Sequence, residues 1–370
     1  MTDRDALFAA LSRRPDVEDP TLQAHDASDA LILDEAARLG RLPAELVVVG
    51  DRHGALTLGA LHDGAERVRV HQDSIVGERA LDANAAELGI AGFAHHALDA
   101  SLVEGARLVL LQLPRSLDEL DEIAELIATH ADERVCVIAG GRVKHMTRSM
   151  NALLGRSFKS VHASHGWRKS RVLHVEGPRR PGISWPRSRI HRVAGRPLTA
   201  VAHGGAFAGT SIDIGAQSLL EHLDEMADAS HAIDLACGTG VLGVALAQAR
   251  PHVQALATDA SAAAIASARA TAAANGVVER VEARQADGLE GLPDRSAGLI
   301  LLNPPFHVGA AVHTGVAERL IAEAGRALAP GGELWCVWNS HLGYRAQLER
   351  VGRTRQASRN PKFTVTVTRR

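Results

Sequence analysis

Cysteine is scarce in this 370-residue chain, with three copies. Cys136, Cys237 and Cys336 lie far apart and share no metal-ligand spacing. This argues against a disulfide framework and a zinc site and fits a reducing, cytoplasmic setting. No run approaches the ~20 apolar residues that a membrane helix needs. The opening MTDRDALFAALSRRPDVED mixes both charge signs, where a secretory leader would be basic and then apolar. Neither secretion nor a membrane partner is expected, and no metal is. Net charge is also nearly absent, −2 at neutral pH, which argues against a general nucleic-acid binder.

What is present is a core and a pattern. Hydrophobic residues make up 46% of the chain, enough for a sizeable interior. The length predicts about two domains at ~150 residues each. The small net charge hides a segregation. From Arg134 to Arg196 there are 15 Lys and Arg against one acid, Glu176; from Leu342 to Arg370 there are eight against one, Glu349. Two basic stretches on an otherwise acidic chain suggest a directed polyanion-binding face, although arginines on a solvated surface would give the same count.

The second half alternates strands and helices. Ala232–Cys237 reads as a strand, followed by the turn Gly238-Thr239-Gly240 and a helix through Ala249. Val253–Asp259 is the next strand, and Ser261 caps the alanine-rich helix after it. Strands follow near Val281–Asp287 and Leu299–Leu302, then a helix near Val316–Leu328, a strand at Glu333–Trp338, a short helix and a final strand pair. The first half has the same order, from LVVV at Leu46–Val49 through RVRVHQD and VLLQLP to RVCVIAGG. Asp73 to Pro114 spans 41 positions and Asp259 to Pro304 spans 45; Pro114 to Gly140 spans 26 and Pro304 to Gly331 spans 27. Such repeated units predict an α/β fold, a mostly parallel sheet with helices on both faces, built twice. Pro178, Pro181, Pro186 and Pro197 read as a semi-extended Pro/Arg-rich linker over 178–197, between a first domain at 1–190 and a second at 198–370.

The halves differ where chemistry would sit. In IDLACGTGVLG a strand turns over two glycines into a helix whose N-terminus can receive a carboxylate or phosphate. Alone, such a loop is a weak signal. Asp259, 21 positions after Gly238, ends the next strand, where a carboxylate can accept from ribose hydroxyls. Asp287 ends the third strand, near the expected place of an adenine, or else caps a turn. Asn303-Pro304-Pro305-Phe306-His307 leaves the fourth strand at the switch point where α/β sheets bind ligands. The prolines stiffen it and carry no N–H. The Asn303 side-chain oxygen and the Pro304 carbonyl can accept both protons of a planar amine and turn its lone pair toward an electrophile. Phe306 offers a face on which a flat base can stack. The first half has only Gly50-Asp51-Arg52-His53-Gly54 and Gln112-Leu113-Pro114-Arg115 at these places and reads as a scaffold without a ligand site.

DLACGTG, Asp259 and NPPFH together resemble the class I S-adenosylmethionine-dependent methyltransferases. NPPF followed by His is similar to the "methyltransferase small" family of ribosomal RNA guanine-N2 methyltransferases. SIDIGAQSLLEHL, NSHLGYRAQL and the terminal NPKFTVT resemble its large-subunit branch, as do VLLQLPRSL and GGRVKHMTRSMNALLG in the first half. The resemblance implies two tandem Rossmann-like methyltransferase domains, the second a seven-stranded, mostly parallel sheet with an antiparallel final strand, the first non-catalytic and serving RNA recognition. It implies S-adenosylmethionine as cofactor and ribosomal RNA as partner, naked or in a partly assembled subunit, large or small. Asp234 would hold the cofactor's amino group, Ala236, Gly238 and Gly240 its loop, Asp259 its ribose and Asp287 its adenine, with Asn303 bordering it. Ala236 departs from the glycine common at its position, and a negative φ would accommodate it. Asp213 either closes over the site or caps a helix. Asn303, Pro304 and Phe306 would act on the base; His307 would contact the base or its phosphate. Lys144, His145, Arg168 and Lys169, with Trp167 and Trp185 as stacking surfaces, are the candidates for RNA contact. The same amine grip also suits a protein glutamine or a small molecule, and loss of catalysis would leave an RNA-binding ribosome-assembly factor.

Overall fold

The computed structural model describes residues 3–18, 22–40, 42–305 and 314–370. Phe306 and His307 lie outside them. The chain divides into two compact units, Met1–Trp185 and Pro186–Arg370.

In the first unit, β1 (Glu45–Val49), β2 (Arg67–His71), β3 (Phe93–His95), β4 (Leu108–Gln112), β5 (Cys136–Arg142), β6 (Phe158–Ala163) and β7 (Ser170–Pro178) form one sheet in the order β3-β2-β1-β4-β5-β7-β6. The first five are parallel; β7 pairs antiparallel with β5 and with β6. Strand periodicity explains the two-sided core. Successive side chains alternate faces, so Leu46 and Val48 enter one apolar cluster while Val47 and Val49 enter the other. Helix Leu117–His130 covers one face; Ser116 caps it by accepting from the Glu119 N–H at 3.2 Å.

The second unit opens with a hairpin, β8 (Arg187–Val193) and β9 (Arg196–Ala202). Then β10 (His231–Leu235), β11 (Gln254–Asp259), β12 (Val281–Gln285), β13 (Ala297–Leu302), β14 (Leu328–Asn339), β15 (Arg353–Arg359) and β16 (Phe363–Arg369) form a sheet in the order β12-β11-β10-β13-β14-β16-β15. This is the first unit's topology, strand for strand. Leu299 and Leu301 face one cluster, Ile300 and Leu302 the other.

Three expectations are corrected. The stretch 178–197 is not an extended linker. Its first residue ends β7, and Arg187–Ala202 is a hairpin docked on helix Ala262–Ala274. The Val201 N–H donates to Thr271 Oγ1 at 3.0 Å, the His203 N–H to Ser267 Oγ at 2.9 Å, and Leu198 and Ala200 are fully buried. Trp185 is only 8% exposed, so its ring is not available for stacking on RNA. The basic stretch is also not wholly a free surface: Arg156 pairs with Asp121 at 2.7 Å, Arg179 donates to the Phe158 carbonyl at 3.0 Å, and Arg180 to the Thr129 carbonyl at 2.8 Å. Among the described residues no helix is long and apolar enough to cross a membrane.

Candidate active site

The site lies where β10, β11 and β13 of the second unit end. β10 stops at Leu235, and helix Val241–Ala249 begins six positions after it. Gly240, at φ 73°, is the residue before that helix, and a Cβ there would stand 2.8 Å from the Ala268 Cβ. Only glycine satisfies both demands. Ala236 also sits in the left-handed region, at φ 57°, not at the negative φ expected of it. An L-residue held there costs about 1–2 kcal/mol, so the packed strand end imposes strain on the loop.

Asp234 is buried beneath this loop. Its Oδ2 accepts from the Gly243 N–H at 2.8 Å; its Oδ1, also buried, has no partner among the described residues. Burial pushes its carboxyl up to about 7, against the Gly243 hydrogen bond and with some repulsion from Asp259. Asp259 ends β11 and accepts from the Gly238 N–H and the Ser261 N–H, each at 3.0 Å. A carboxylate has about four lone-pair sites, so it retains accepting capacity.

Asn303 follows β13. Its Nδ2 donates to Asp213 Oδ2 at 2.5 Å. Asp213 is also the N-cap of helix Ile214–Leu220, accepting from the Gly215 and Ala216 N–H groups at 3.0 and 3.1 Å. Asp213 therefore caps a helix, as one reading had it, and also holds Asn303. A carboxylate only accepts, so it fixes the amide with its nitrogen inward and leaves Oδ1 as the free acceptor. That oxygen is buried and has no partner among the described residues. Gly215 is required beside it, because a Cβ there would lie 2.8 Å from Asn303 Oδ1.

A cavity of about 280 Å³ has Ala236, Gly238, Asp259, Asn303, Pro304 and Pro305 in its wall; Asp234 and Gly240 lie behind that wall and do not line it. Phe207, 65% exposed, also borders it. Sequence reasoning missed Phe207; an aromatic inside the glycine-rich run GGAFAG was the available signal. Asp287 is not brought to the cavity wall. Its carboxylate is paired with Arg319 at 2.6 Å, from helix Thr314–Ala327. The RNA candidates lie in the first unit. Lys144 and His145 are exposed at the end of β5. Arg168 and Lys169 occupy a tight turn at φ 44° and 61°, with the Arg168 guanidinium 4.6 Å from the centre of the half-exposed Trp167 ring. The Lys169 carbonyl accepts from the Val143 N–H at 2.9 Å, so the two basic pairs lie on adjoining segments.

A parallel sheet whose carboxyl end carries an acid below a glycine loop and a second acid at the end of the next strand fits the class of α/β proteins that hold a nucleoside-containing cofactor. Residues 197–367 match the methyltransferase small domain and residues 2–179 the RLMG N-terminal domain. The chain is 35% identical to the ribosomal RNA large subunit methyltransferase G of Streptomyces coelicolor, covering 96% of each chain. It is 36% identical to the protein of that name from Pseudomonas paraeruginosa, again covering 96% of each. The chain belongs to the ribosomal RNA large subunit methyltransferase G family. A solved 16S rRNA N2 methyltransferase of T. thermophilus, in complex with AdoMet and guanosine, shares the fold over 94% of this chain and 92% of its own, with a TM-score of 0.76 at 21% identity.

The raised Asp234 carboxyl generates a prediction. With the folded-state value near 7 against 3.8 for an unperturbed Asp, its contribution to stability is present below about pH 4 and is lost as pH rises through about 7. Asp234→Asn removes that loss. Thermal melts of the cofactor-free protein at pH 8 should give the variant a Tm several degrees above wild type, with little difference at about pH 4. A variant that melts lower at both pH values contradicts an uncompensated buried carboxylate.

Proposed function

We propose that this chain transfers a methyl group from S-adenosylmethionine to the exocyclic N2 of a guanine in large-subunit ribosomal RNA. The observation that carries this reading is the Asn303 amide, whose nitrogen is held by Asp213 and whose buried oxygen has no partner among the described residues, in the residue that stands beside Pro304 in the cavity wall. An acceptor in that state lacks a hydrogen bond, a cost of about 1–3 kcal/mol. A planar –NH2 group relieves it by donating one proton to Asn303 Oδ1 and the other to the Pro304 carbonyl, which no ring N–H contests.

The cofactor, when bound, supplies an electrophilic methyl on a sulfonium. The residues present suit it. Asp234 Oδ1 is an orphaned acceptor for its amino group, directly or through water. Asp259 retains lone pairs for the ribose hydroxyls, and Gly238 allows close approach of the chain. Asp287, held by Arg319, acts at most by fixing the segment after β12. An aromatic amine is a weak nucleophile because its lone pair is delocalised. Holding both hydrogens aims that lone pair along the transfer line, a positioning contribution. As the nitrogen takes up the methyl, the methyl–sulfur bond would break with its electron pair left on a neutral thioether, and the amine would then lose a proton to solvent, so no strong base is needed from the chain. Phe207 supplies a face for the base at the cavity mouth; the corresponding expectation for Phe306, and the contact assigned to His307, fall outside the described residues. A guanine inside a duplex cannot reach this site, so it must be extruded or presented unpaired.

The names of the relatives and the basic stretches favour ribosomal RNA over a protein glutamine or a small molecule. The first unit then serves RNA recognition, with Lys144, His145, Arg168 and Lys169 facing the strand, and the cytoplasm is where such a substrate is met. Tritium transfer from labelled cofactor to ribosomal RNA and to ribosomal protein fractions tests the substrate class. Label in protein alone overturns the reading. Asn303→Ala should lower methyl transfer at least a hundredfold while leaving the cofactor dissociation constant within a few fold. Comparable turnover contradicts the amine grip. Phe207→Ala should raise KM for RNA about tenfold, the loss of one stacked base at roughly 1–3 kcal/mol, with cofactor affinity unchanged. An unchanged KM removes Phe207 from the base site.

A further inference from the structure

The strand registers put the binding ends of the two units into correspondence. Val49 pairs with His71 and Leu111 as Leu235 pairs with Thr258 and Leu302. Val48 therefore stands at the place of Asp234, Gln72 at that of Asp259 and Gln112 at that of Asn303. Both cofactor carboxylates are missing. Asp26 caps helix Ala27–Ala37 as Asp213 caps its counterpart. Just inside that helix stand Ser28 and Asp29, where the second unit has Gly215 and Ala216. Gln112 Nε2 donates to Ser28 Oγ at 3.0 Å and to Asp29 Oδ1 at 2.8 Å. The strand-end amide is thus consumed by the unit's own side chains. In place of the open Gly238 stands Arg52.

The end of this sheet is nevertheless not closed. A cavity of about 440 Å³ remains there, and Arg52, Arg115, Arg142 and Lys144 stand in its wall. None of the four makes a salt bridge among the described residues. The acids at the same wall are already engaged. Asp51 accepts from the Gly54 and Thr57 N–H groups at 3.0 and 2.7 Å, Asp26 caps its helix, and buried Asp29 accepts from Gln112 and from the Asp26 N–H. Arg13 is paired with Asp16. The cations converge: burial lowers the imidazole of His145 below its ordinary range, and Arg115, Lys144 and Arg52 each add to that lowering. Four cations without a salt bridge among the described residues, gathered around one concavity, repel one another, and a polyanion relieves that repulsion.

We propose that the carboxyl end of the first unit's sheet binds the phosphates of an RNA strand through Arg52, Arg115, Arg142 and Lys144. This rests on ribosomal RNA being the substrate. The cofactor cleft of one unit becomes, in the other, a phosphate cleft, by exchange of two carboxylates and a glycine for neutral and cationic side chains. The guanidinium groups suit forked pairing with phosphate oxygens, and Lys144 acts as a point charge.

The test uses the full chain and in vitro transcribed large-subunit ribosomal RNA. The variant Arg115→Ala/Arg142→Ala/Lys144→Ala is compared with wild type and with Arg67→Ala/Arg107→Ala/Arg134→Ala, which removes equal charge from arginines already beside acids. The cleft variant should bind RNA at least tenfold more weakly at about 0.1 M salt, with its log–log salt slope smaller by about one for each phosphate no longer neutralised. Cofactor affinity should not change, and the control should bind within about twofold of wild type. A cleft variant equal to wild type, or a control equally impaired, overturns the proposal. So does full competition by inorganic phosphate at matched ionic strength, which marks a small-anion site. If the triple variant does not fold, the single reversal Lys144→Glu at an exposed position should still weaken binding and reduce the slope. Wild-type protein that methylates no RNA sinks the substrate reading itself, a result distinct from intact methylation with a silent cleft.

Discussion

The hydrogen bond from Asn303 to Asp213 is the constraint on which the site depends. Three demands converge on it. Asp213 must cap a helix, so its carboxylate is fixed by two backbone N–H groups. The amide must present its nitrogen to that carboxylate, which leaves its buried oxygen without a partner among the described residues. Gly215 must lack a side chain, because no Cβ fits beside that oxygen. The sheet delivers Asn303 at the end of β13, and the prolines after it restrict the backbone further. In the proposed mechanism, selection of a group that donates two hydrogens rests on the orientation of this one amide.

The second feature is the cost stored around the cofactor loop. Asp234 is buried with one oxygen unsatisfied, and Ala236 is held in the left-handed region. Each is unfavourable alone and is sustained by the core beneath it, where Ile233 and Leu235 anchor the strand in one apolar cluster and Ala232 in another. Strain and unpaired polar groups gathered at one strand end distinguish this end from an ordinary turn. In the first unit the corresponding residues are Val48, fully buried and apolar, and Gly50, which takes its positive φ without strain. The two units share a topology but differ in where they hold unsatisfied groups: buried acceptors in one, exposed cations in the other.

Much of this is legible in the sequence, and the residues show why. LVVV and AIDLAC are short apolar runs that only a strand buried on both faces explains, and both are such strands. Asp259 and Asn303 end strands, and a strand end is easily located. The hairpin Arg187–Ala202 reads as a linker in the sequence because Pro186 precedes it, Pro197 lies within it and exposed arginines mask its alternation, while most of its buried residues, Leu198, Ala200, Val201 and Ala202, gather in its second strand. Asp287 reads as a cofactor acid because it too ends a strand segment. Its partner Arg319, 32 positions on, comes from a helix whose packing the sequence does not declare. The Asp213–Asn303 bond joins residues 90 positions apart. Both stand out in the sequence, but their pairing needs the topology. Ala236 shows the limit of local reasoning, since its φ is set by the strand and helix on either side.

The most direct measurement of the central claim is the kinetics of Asp213→Asn. Asparagine caps helices as well as aspartate, so the fold and the cofactor site should survive with an unchanged Tm and cofactor dissociation constant. It also donates, however, and so no longer dictates which way the Asn303 amide faces. The account predicts that kcat for methylation of ribosomal RNA falls at least tenfold and that combining the change with Asn303→Ala adds nothing further. Undiminished kcat in Asp213→Asn, or fully additive losses in the double variant, would contradict it.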